Sequence, residues 1–239
     1  MPQHKKKLNY GFLCWFIGFT EGDGSFISSP IKNGYRNYFY ITQKDPKVLY
    51  YIKKNLGFGL VKKKKDGYYY YVSDQLNIDR LIRLFNGNFC LEKVSNRFKK
   101  WFIAYKEYSK VKEKVEYSSF DHTKQLLSLT NSWLAGFIDA ESCFNIQLRS
   151  NIIKPRFTIT QTNACSFLKQ LYYLFNISFF NSDRCSIQFS LQSKVSLDLL
   201  IKYLRAYPLC SNKIIAFKRW SRVIRYKNKR NDSLATEKA

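Results

Sequence analysis

This sequence is short of acids. Across 239 residues it carries 17 Asp and Glu against 41 Lys and Arg, a formal net charge of +24. A compact chain accepts that much self-repulsion when its partner is a polyanion. A membrane-bound role is excluded twice over. No apolar run approaches the roughly 20 residues of a spanning helix, and the cations are spread along the chain instead of lying on one amphipathic helix. Nucleic acid is the expected partner. Histidine is nearly absent, with only His4 and His122. The six cysteines (Cys14, Cys90, Cys143, Cys165, Cys185, Cys210) stand singly with no CxxC pair. That pattern excludes the common zinc sites. Lone cysteines on apolar faces act as small hydrophobic residues and point to a reducing compartment. The opening MPQHKKKLNY has neither the apolar core of a signal peptide nor the Arg/Ser bias of a transit peptide. Only 10 Gly and 5 Pro are present, while Lys, Phe, Tyr, Asn and Ile abound, as AT-rich codons favour. An organelle-encoded protein of the mitochondrion, or alternatively the chloroplast, fits both features.

What the chain does have is apolar bulk, 45% of residues with 20 Phe and 18 Tyr, so a packed interior is expected. It also has an internal repeat. WFIGFTEGDGSF at residues 15–26 returns as WLAGFIDAESCF at 133–144. The offset of 118 that pairs Gly18 with Gly136 also pairs Asp23 with Glu141 and the ITQ ending at Gln43 with the ITQ ending at Gln161. FKKW at 98–101 matches FKRW at 217–220 with a slip of one.

Each copy has the same layout. Helices over Tyr10–Glu21 and Ser132–Ala140 lead into a hairpin, which in the first copy turns at Lys32-Asn33-Gly34. A helix follows with Asp45 as N-cap, Pro46 in its first turn and Gly57 as its stop. A second hairpin turns at Asp66-Gly67, and QLNIDRLIRLFNGN and NRFKKWFIAYKEYSK close the unit as helices. The second copy gives a hairpin over Cys143–Gln161, a helix over Asn163–Phe175, strands within Ser178–Gln192, and helices over Val195–Ala206 and Asn212–Tyr226. The expected class is α+β, αββαββαα twice, with residues 1–110 as the first repeat, 111–129 as linker and 130–239 as the second.

Gly18-x-x-x-Gly22 and Gly136-x-x-x-Ala140 put small residues on one helix face. Gly costs a helix about 1 kcal/mol against Ala, so an apolar helix that retains it is packed closely. The other copy's matching face is the economical partner, and two such helices side by side create a pseudo-two-fold axis. Asp23 and Glu141 then fall just past two helix C-termini, where the partial negative charge of the helix end disfavours acids. A divalent cation removes that penalty, and hard carboxylate oxygens suit Mg²⁺. The carbonyls of Gly22 and Ala140 could add ligands. Paired carboxylates holding metal in a very basic protein suggest phosphodiester hydrolysis.

The two motifs resemble those of the LAGLIDADG homing endonucleases, of the kind with both halves fused in one chain. The likeness extends to the hairpins, both ITQ tripeptides and the late basic helices. It implies two four-stranded antiparallel sheets forming a DNA-binding saddle with helices behind. It also implies a monomer that breaks both strands of a long site, leaving short 3′ overhangs. Residue by residue, the resemblance makes Asp23 and Glu141 the metal ligands, with Mn²⁺ or Ca²⁺ able to replace Mg²⁺ for binding. Glu21 and Asp139 become structural acids, and Gln43 and Gln161 line the site and order water. Lys213, and less directly Lys93, become the basic residues that support the transition state. Two positions depart from the family pattern: the second motif ends Ala-Glu-Ser, and the first carries Thr20-Glu21.

Strand alternation proposes the DNA-facing residues. In the second copy these are Asn145, Gln147 and Arg149, with Arg156 and Thr158 returning and Arg184, Ser186 and Gln188 beyond. Asn, Gln and Arg make bidentate contacts to A and G edges. In the first copy, Ser25, Ile27, Ser29, Arg36, Tyr38 and Tyr40 share a frame with the motif acid, while Lys62 to Lys65, Lys62 and Lys64 among them, are suited to phosphates. The unlike faces imply an asymmetric target. Two alternatives stay open: an RNA-splicing maturase that binds intron RNA, and a DNA-binding regulator without cleavage.

Overall fold

The computed structural model describes residues 9–32, 34–107, 119–149, 152–177 and 188–236. The chain divides into two compact units, residues 1–140 and 141–239. The first repeat opens with α1 (Tyr10–Asp23), β1 (Gly24–Ile31) and β2 (Gly34–Gln43), then α2 (Lys47–Leu56), β3 (Leu60–Lys64), β4 (Gly67–Val72), α3 (Gln75–Phe85) and α4 (Glu92–Lys106). Next come α5 (Trp133–Glu141), β5 (Ser142–Arg149), β6 (Ile152–Thr160), α6 (Cys165–Leu174), β7 (Gln188–Leu191), α7 (Lys194–Ala206) and α8 (Lys213–Thr236).

In unit 1 the four strands pair antiparallel in the order β1-β2-β4-β3. Alternation sorts them into two faces. Phe26, Phe39, Ile41, Tyr70 and Val72 lie on the face that carries the helices, and Phe39, Ile41 and Tyr70 are wholly buried there. Phe16 of α1, Phe85 of α3 and Phe98 and Trp101 of α4 fill the same core. Helix α1 is apolar on nearly every side, as a helix covered on both flanks must be. Helix α2 ends as expected at Gly57, whose φ of 77° is the left-handed conformation that favours glycine. At its start Asp45 Oδ1 accepts from the Lys47 N–H at 2.7 Å, so Asp45 caps from just outside while Pro46 takes the N-cap position.

Unit 2 carries the sheet β5-β6-β7, also antiparallel. Phe157, Ile159, Phe189 and Leu191 face Leu168 and Leu171 of α6, Leu200 and Leu204 of α7, and Phe217 and Trp220 of α8. The fourth strand expected for this sheet falls largely within 178–187, outside the described residues. The late tryptophans fix each closing helix in the same way. Trp101 Nε1 donates to the carbonyl of Ile27 at 3.1 Å, and Trp220 Nε1 donates to that of Asn145 at 3.0 Å. Ile27 and Asn145 are 118 apart, so one packing solution is built twice.

Several expectations are corrected. Helix α4 begins at Glu92, four residues before the NRFKKW segment, and α8 runs on to Thr236. Part of the expected linker, residues 119–129, is docked on unit 1. The Asp121 N–H donates to Asn86 Oδ1 at 2.9 Å, the Gln125 N–H donates to the carbonyl of Phe89 at 3.1 Å, and Leu127 is buried. Cys14, Cys90, Cys143 and Cys210 are free thiols. Cys165, expected to stand alone, is disulfide-bonded.

Candidate active site

Helices α1 and α5 lie against each other in unit 1 through their glycines. A Cβ on Gly18 would run into the carbonyl of Trp133, and one on Gly136 into that of Trp15. The contact is reciprocal, as two copies of one face require. Two crossed hydrogen bonds lock the seam. Trp15 Nε1 donates to Asp139 Oδ2 at 3.0 Å, and Trp133 Nε1 donates to Glu21 Oε1 at 2.8 Å. Trp15 with Trp133 and Glu21 with Asp139 keep the repeat offset, so this too is one bond made twice. Both acids are buried.

Glu21 does more. It accepts from the N–H groups of Cys90 at 3.0 Å and Leu91 at 2.7 Å, immediately before α4. Leu91 is the N-cap of that helix and has no capping side chain of its own, so Glu21 supplies the cap from a distant part of the chain. Burial pushes the Glu21 carboxyl up to about 8, against the downward pull of these three donors.

Asp23 is the last residue of α1 and Glu141 the last of α5. The sequence placed both just past the helix ends. The α1 ladder instead continues to the Gly24 N–H, which bonds to the carbonyl of Thr20, and β1 starts at that same glycine with no loop between. Gln43, the last residue of β2, donates from Nε2 to Asp23 Oδ2 at 2.6 Å. It shares parity with Phe39 and Ile41 and not with Tyr38 and Tyr40, which is why it meets the end of α1. Gln161 directly follows β6 and is buried. Lys93 and Lys213 stand in the first turns of α4 and α8. Among the described residues no cluster of three or more His, Cys, Asp or Glu side chains forms, so a cation here would draw on carboxylates and on backbone or ligand oxygens.

The sheet faces turned away from the helices carry the other candidates. In unit 1, Ser25 pairs with Tyr40, Ile27 with Tyr38 and Ser29 with Arg36, so these residues share one face. Tyr69 and Tyr71 join them through Thr42 and Tyr40, and Lys62 and Lys64 complete it from β3. In unit 2, Asn145 pairs with Arg156 and Gln147 with Lys154, while Arg149 pairs with Ile152 at the hairpin end. Gln188 and Ser190 extend this face opposite Thr160 and Thr158. Thr158 lies on it but is only 7% exposed. It sits between Cys143 and Ser190, under the Arg156 side chain, which reaches across to Ser190. Arg184 and Ser186 lie outside the described residues. Tyr69 and Tyr71 were not expected here, although every second residue of the 68–71 tyrosine run belongs on this face, and neither were Lys154 and Ser190.

The sequence pattern of the LAGLIDADG endonuclease family matches residues 16–105 and 134–224. A probable intron-encoded endonuclease 4 of Neurospora crassa is 33% identical over 89% of this chain, and a probable intron-encoded endonuclease Cox1-I1b of Schizosaccharomyces pombe is 31% identical over 90%. The chain spans 39% and 65% of those two relatives. Among solved structures, the LAGLIDADG meganuclease I-AabMI, bound to uncleaved DNA, matches with a TM-score of 0.73 at 19% identity, over 94% of this chain and 96% of that one. I-SmaMI, bound to uncleaveable DNA, matches at 0.71 and 18%, over 96% and 93%. With both motif copies, the reciprocal glycine seam and this fold in place, the chain belongs to the LAGLIDADG endonuclease family.

Proposed function

We propose that this chain is an intron-homing, site-specific DNA endonuclease. It acts as a monomer on double-stranded DNA and makes a metal-dependent double-strand break with short 3′ overhangs in a long, asymmetric site. The observation that carries this reading is the contact between Asp23 and Gln43 at the end of α1. The motif acid is an acceptor already oriented by the amide, and Gln43 Oε1 remains to accept from a water.

Asp23 and Glu141 each offer a carboxylate to a divalent cation, Mg²⁺ first and Mn²⁺ or Ca²⁺ for binding, with the carbonyls of Gly22 and Ala140 as further oxygens. Such a cation, when bound, polarises the attacking water and the scissile phosphodiester. Gln43 and Gln161 order water. Lys93 and Lys213 stand in the first turns of helices, where a cation opposes the helix dipole and adds nothing to helix stability. Binding a phosphate turns that unfavourable position to use.

Ser25, Ser29, Arg36, Tyr38 and Tyr40, with Lys62 and Lys64 toward phosphates, line the DNA-facing side of the first sheet. Asn145, Gln147, Arg149, Arg156 and Gln188 do so on the second. The Cox1 introns named for the relative agree with action in a mitochondrion. Relatives named as endonucleases lend the maturase alternative no support.

Cleavage selection from a randomised duplex library with Mg²⁺ tests the proposal. Recovery of one long site, cut on both strands by the wild type, is the expected result. Normal cutting by both Asp23→Asn and Glu141→Gln would overturn it.

A further inference from the structure

The two sheet faces are built on the same cells, alike in chemistry at Ser29 and Gln147 and at Arg36 and Lys154 but unlike elsewhere. At matching positions Ile27 answers to Asn145, Tyr38 to Arg156 and Tyr40 to Thr158. The strand registers extend the match: Tyr71 stands beside Tyr40 as Ser190 stands beside Thr158, and Tyr69 beside Thr42 as Gln188 beside Thr160. In unit 2 the polar set forms a network, with Arg156 Nε donating to Ser190 Oγ at 2.8 Å and Nη2 to Gln188 Oε1 at 2.9 Å. In unit 1 the same cells hold four tyrosines packed ring to ring. Tyr40 lies 6.0 Å from Tyr38, 6.0 Å from Tyr69 and 5.9 Å from Tyr71, and Tyr69 lies 5.7 Å from Tyr71. Ile27 and Leu60, on the same face, are 44% and 42% exposed.

We propose that the unit 1 face recognises its half of the duplex through the C5-methyl groups of thymine, by apolar contact, while the unit 2 face recognises the other half by hydrogen bonding. This rests on the reading of the chain as a DNA endonuclease. An exposed apolar surface needs an apolar partner, and the thymine methyl is the apolar feature of the major groove. The alternative use of aromatic rings, stacking on the bases of a single strand, needs free ring faces. Here Tyr40 and Tyr71 stack on each other at 19°, Tyr38 and Tyr69 lean against them, and Lys62 Nζ lies 5.2 Å from the centroid of the Tyr71 ring. Side chains stand roughly perpendicular to a sheet, so the tyrosines hold their hydroxyls at the rim, and the apolar surface offered to the groove is that of Ile27, Leu60 and the ring edges. The half-site facing unit 1 is therefore thymine-rich and tolerant of other changes that keep a methyl.

The test uses the full chain and the selected duplex, with Ca²⁺ to hold the complex uncut. Thymines are replaced by deoxyuridine in one half of the site at a time, and dissociation constants are compared. One half should lose about fourfold per contacted methyl, the factor expected for one buried carbon, and the other half less than twofold. Replacing cytosine by 5-methylcytosine in the sensitive half should tighten binding. The exposed-site variants Ile27→Ser and Leu60→Ser should erase the uracil effect, and Arg156→Ala should leave it intact. Equal insensitivity of both halves, with the site still cut by Mg²⁺, would overturn this inference and leave the endonuclease reading standing. Tighter binding to a single-stranded oligonucleotide or to RNA would overturn it in favour of stacking. Failure to bind or cut any duplex would remove both.

Discussion

Unit 1 and unit 2 place sheets of one design, on strands of one register, behind very different surfaces. Where unit 2 lays Arg156 across to Gln188 and Ser190, unit 1 packs Tyr38, Tyr40, Tyr69 and Tyr71. The buried faces do not diverge in this way. Phe26 and Phe144, Phe39 and Phe157, and Ile41 and Ile159 are identical pairs. Close packing constrains an interior face to shapes that fit, whereas an outward face answers only to what it touches. A duplicated fold can thus hold its core constant while its two surfaces come to recognise different things.

That contrast can be broken or sharpened by experiment. The halves share the motif acids, differing by one methylene, so the acids should matter equally and most. Asp23→Asn and Glu141→Gln should each lower double-strand cleavage about a thousandfold, roughly 4 kcal/mol of barrier, with gel-shift binding unchanged. A variant that still nicks one strand would show that the acids, like the faces, have diverged. The glycine seam is also shared. Gly18→Leu and Gly136→Leu should each cost about 3 kcal/mol or more in urea unfolding, because the obstacle is a backbone carbonyl that cannot turn aside.

On the unlike faces the effects are smaller and should separate. Arg156→Ala should cost about 1–3 kcal/mol in binding and relax base preference in one half-site only. A buried acid in the seam gives a pH signature. Glu21 has a raised folded pKa of about 8, so the folded state holds a proton that the unfolded chain releases near its ordinary value. Stability should therefore be greatest below the ordinary carboxyl range and fall as pH rises toward about 8, by up to about 1.4 kcal/mol per pH unit. Thermal unfolding across that window should show the slope in the wild type and lose it in Glu21→Gln. The smallest effect belongs to Lys62→Ala on the tyrosine face. It should weaken binding by under about 1 kcal/mol for every sequence alike and lower the salt dependence by about one.

The repeat, the glycine faces, the four-stranded layout of the first half and the turns at Gly34, Gly57 and Gly67 were legible because each depends on residues close in sequence or on a period. Asp23 and Gln43 were each singled out through the motif resemblance, but neither their hydrogen bond nor the parity of Gln43 followed from it. Gln43 shares the helix-side face of β2, and only the strand register shows this. The tyrosine cluster was half legible. Alternation along residues 68–71 marks Tyr69 and Tyr71 as outward, but their meeting with Tyr40 needs the pairing of β2 with β4. The cap of α4 by Glu21 was not legible at all, since donor and acceptor lie about 70 residues apart and no local pattern announces them.

The sequence by itself determined that one module occurs twice, that the chain carries a large excess of positive charge, and that two small-residue helix faces must meet. Those are properties of composition and period, which a chain carries before it folds. Tertiary structure decided which side each strand residue occupies, which buried acid caps which helix, and which tyrosines become one surface. These depend on hydrogen-bond register and close packing between distant segments, where a shift of one residue would exchange inside for outside.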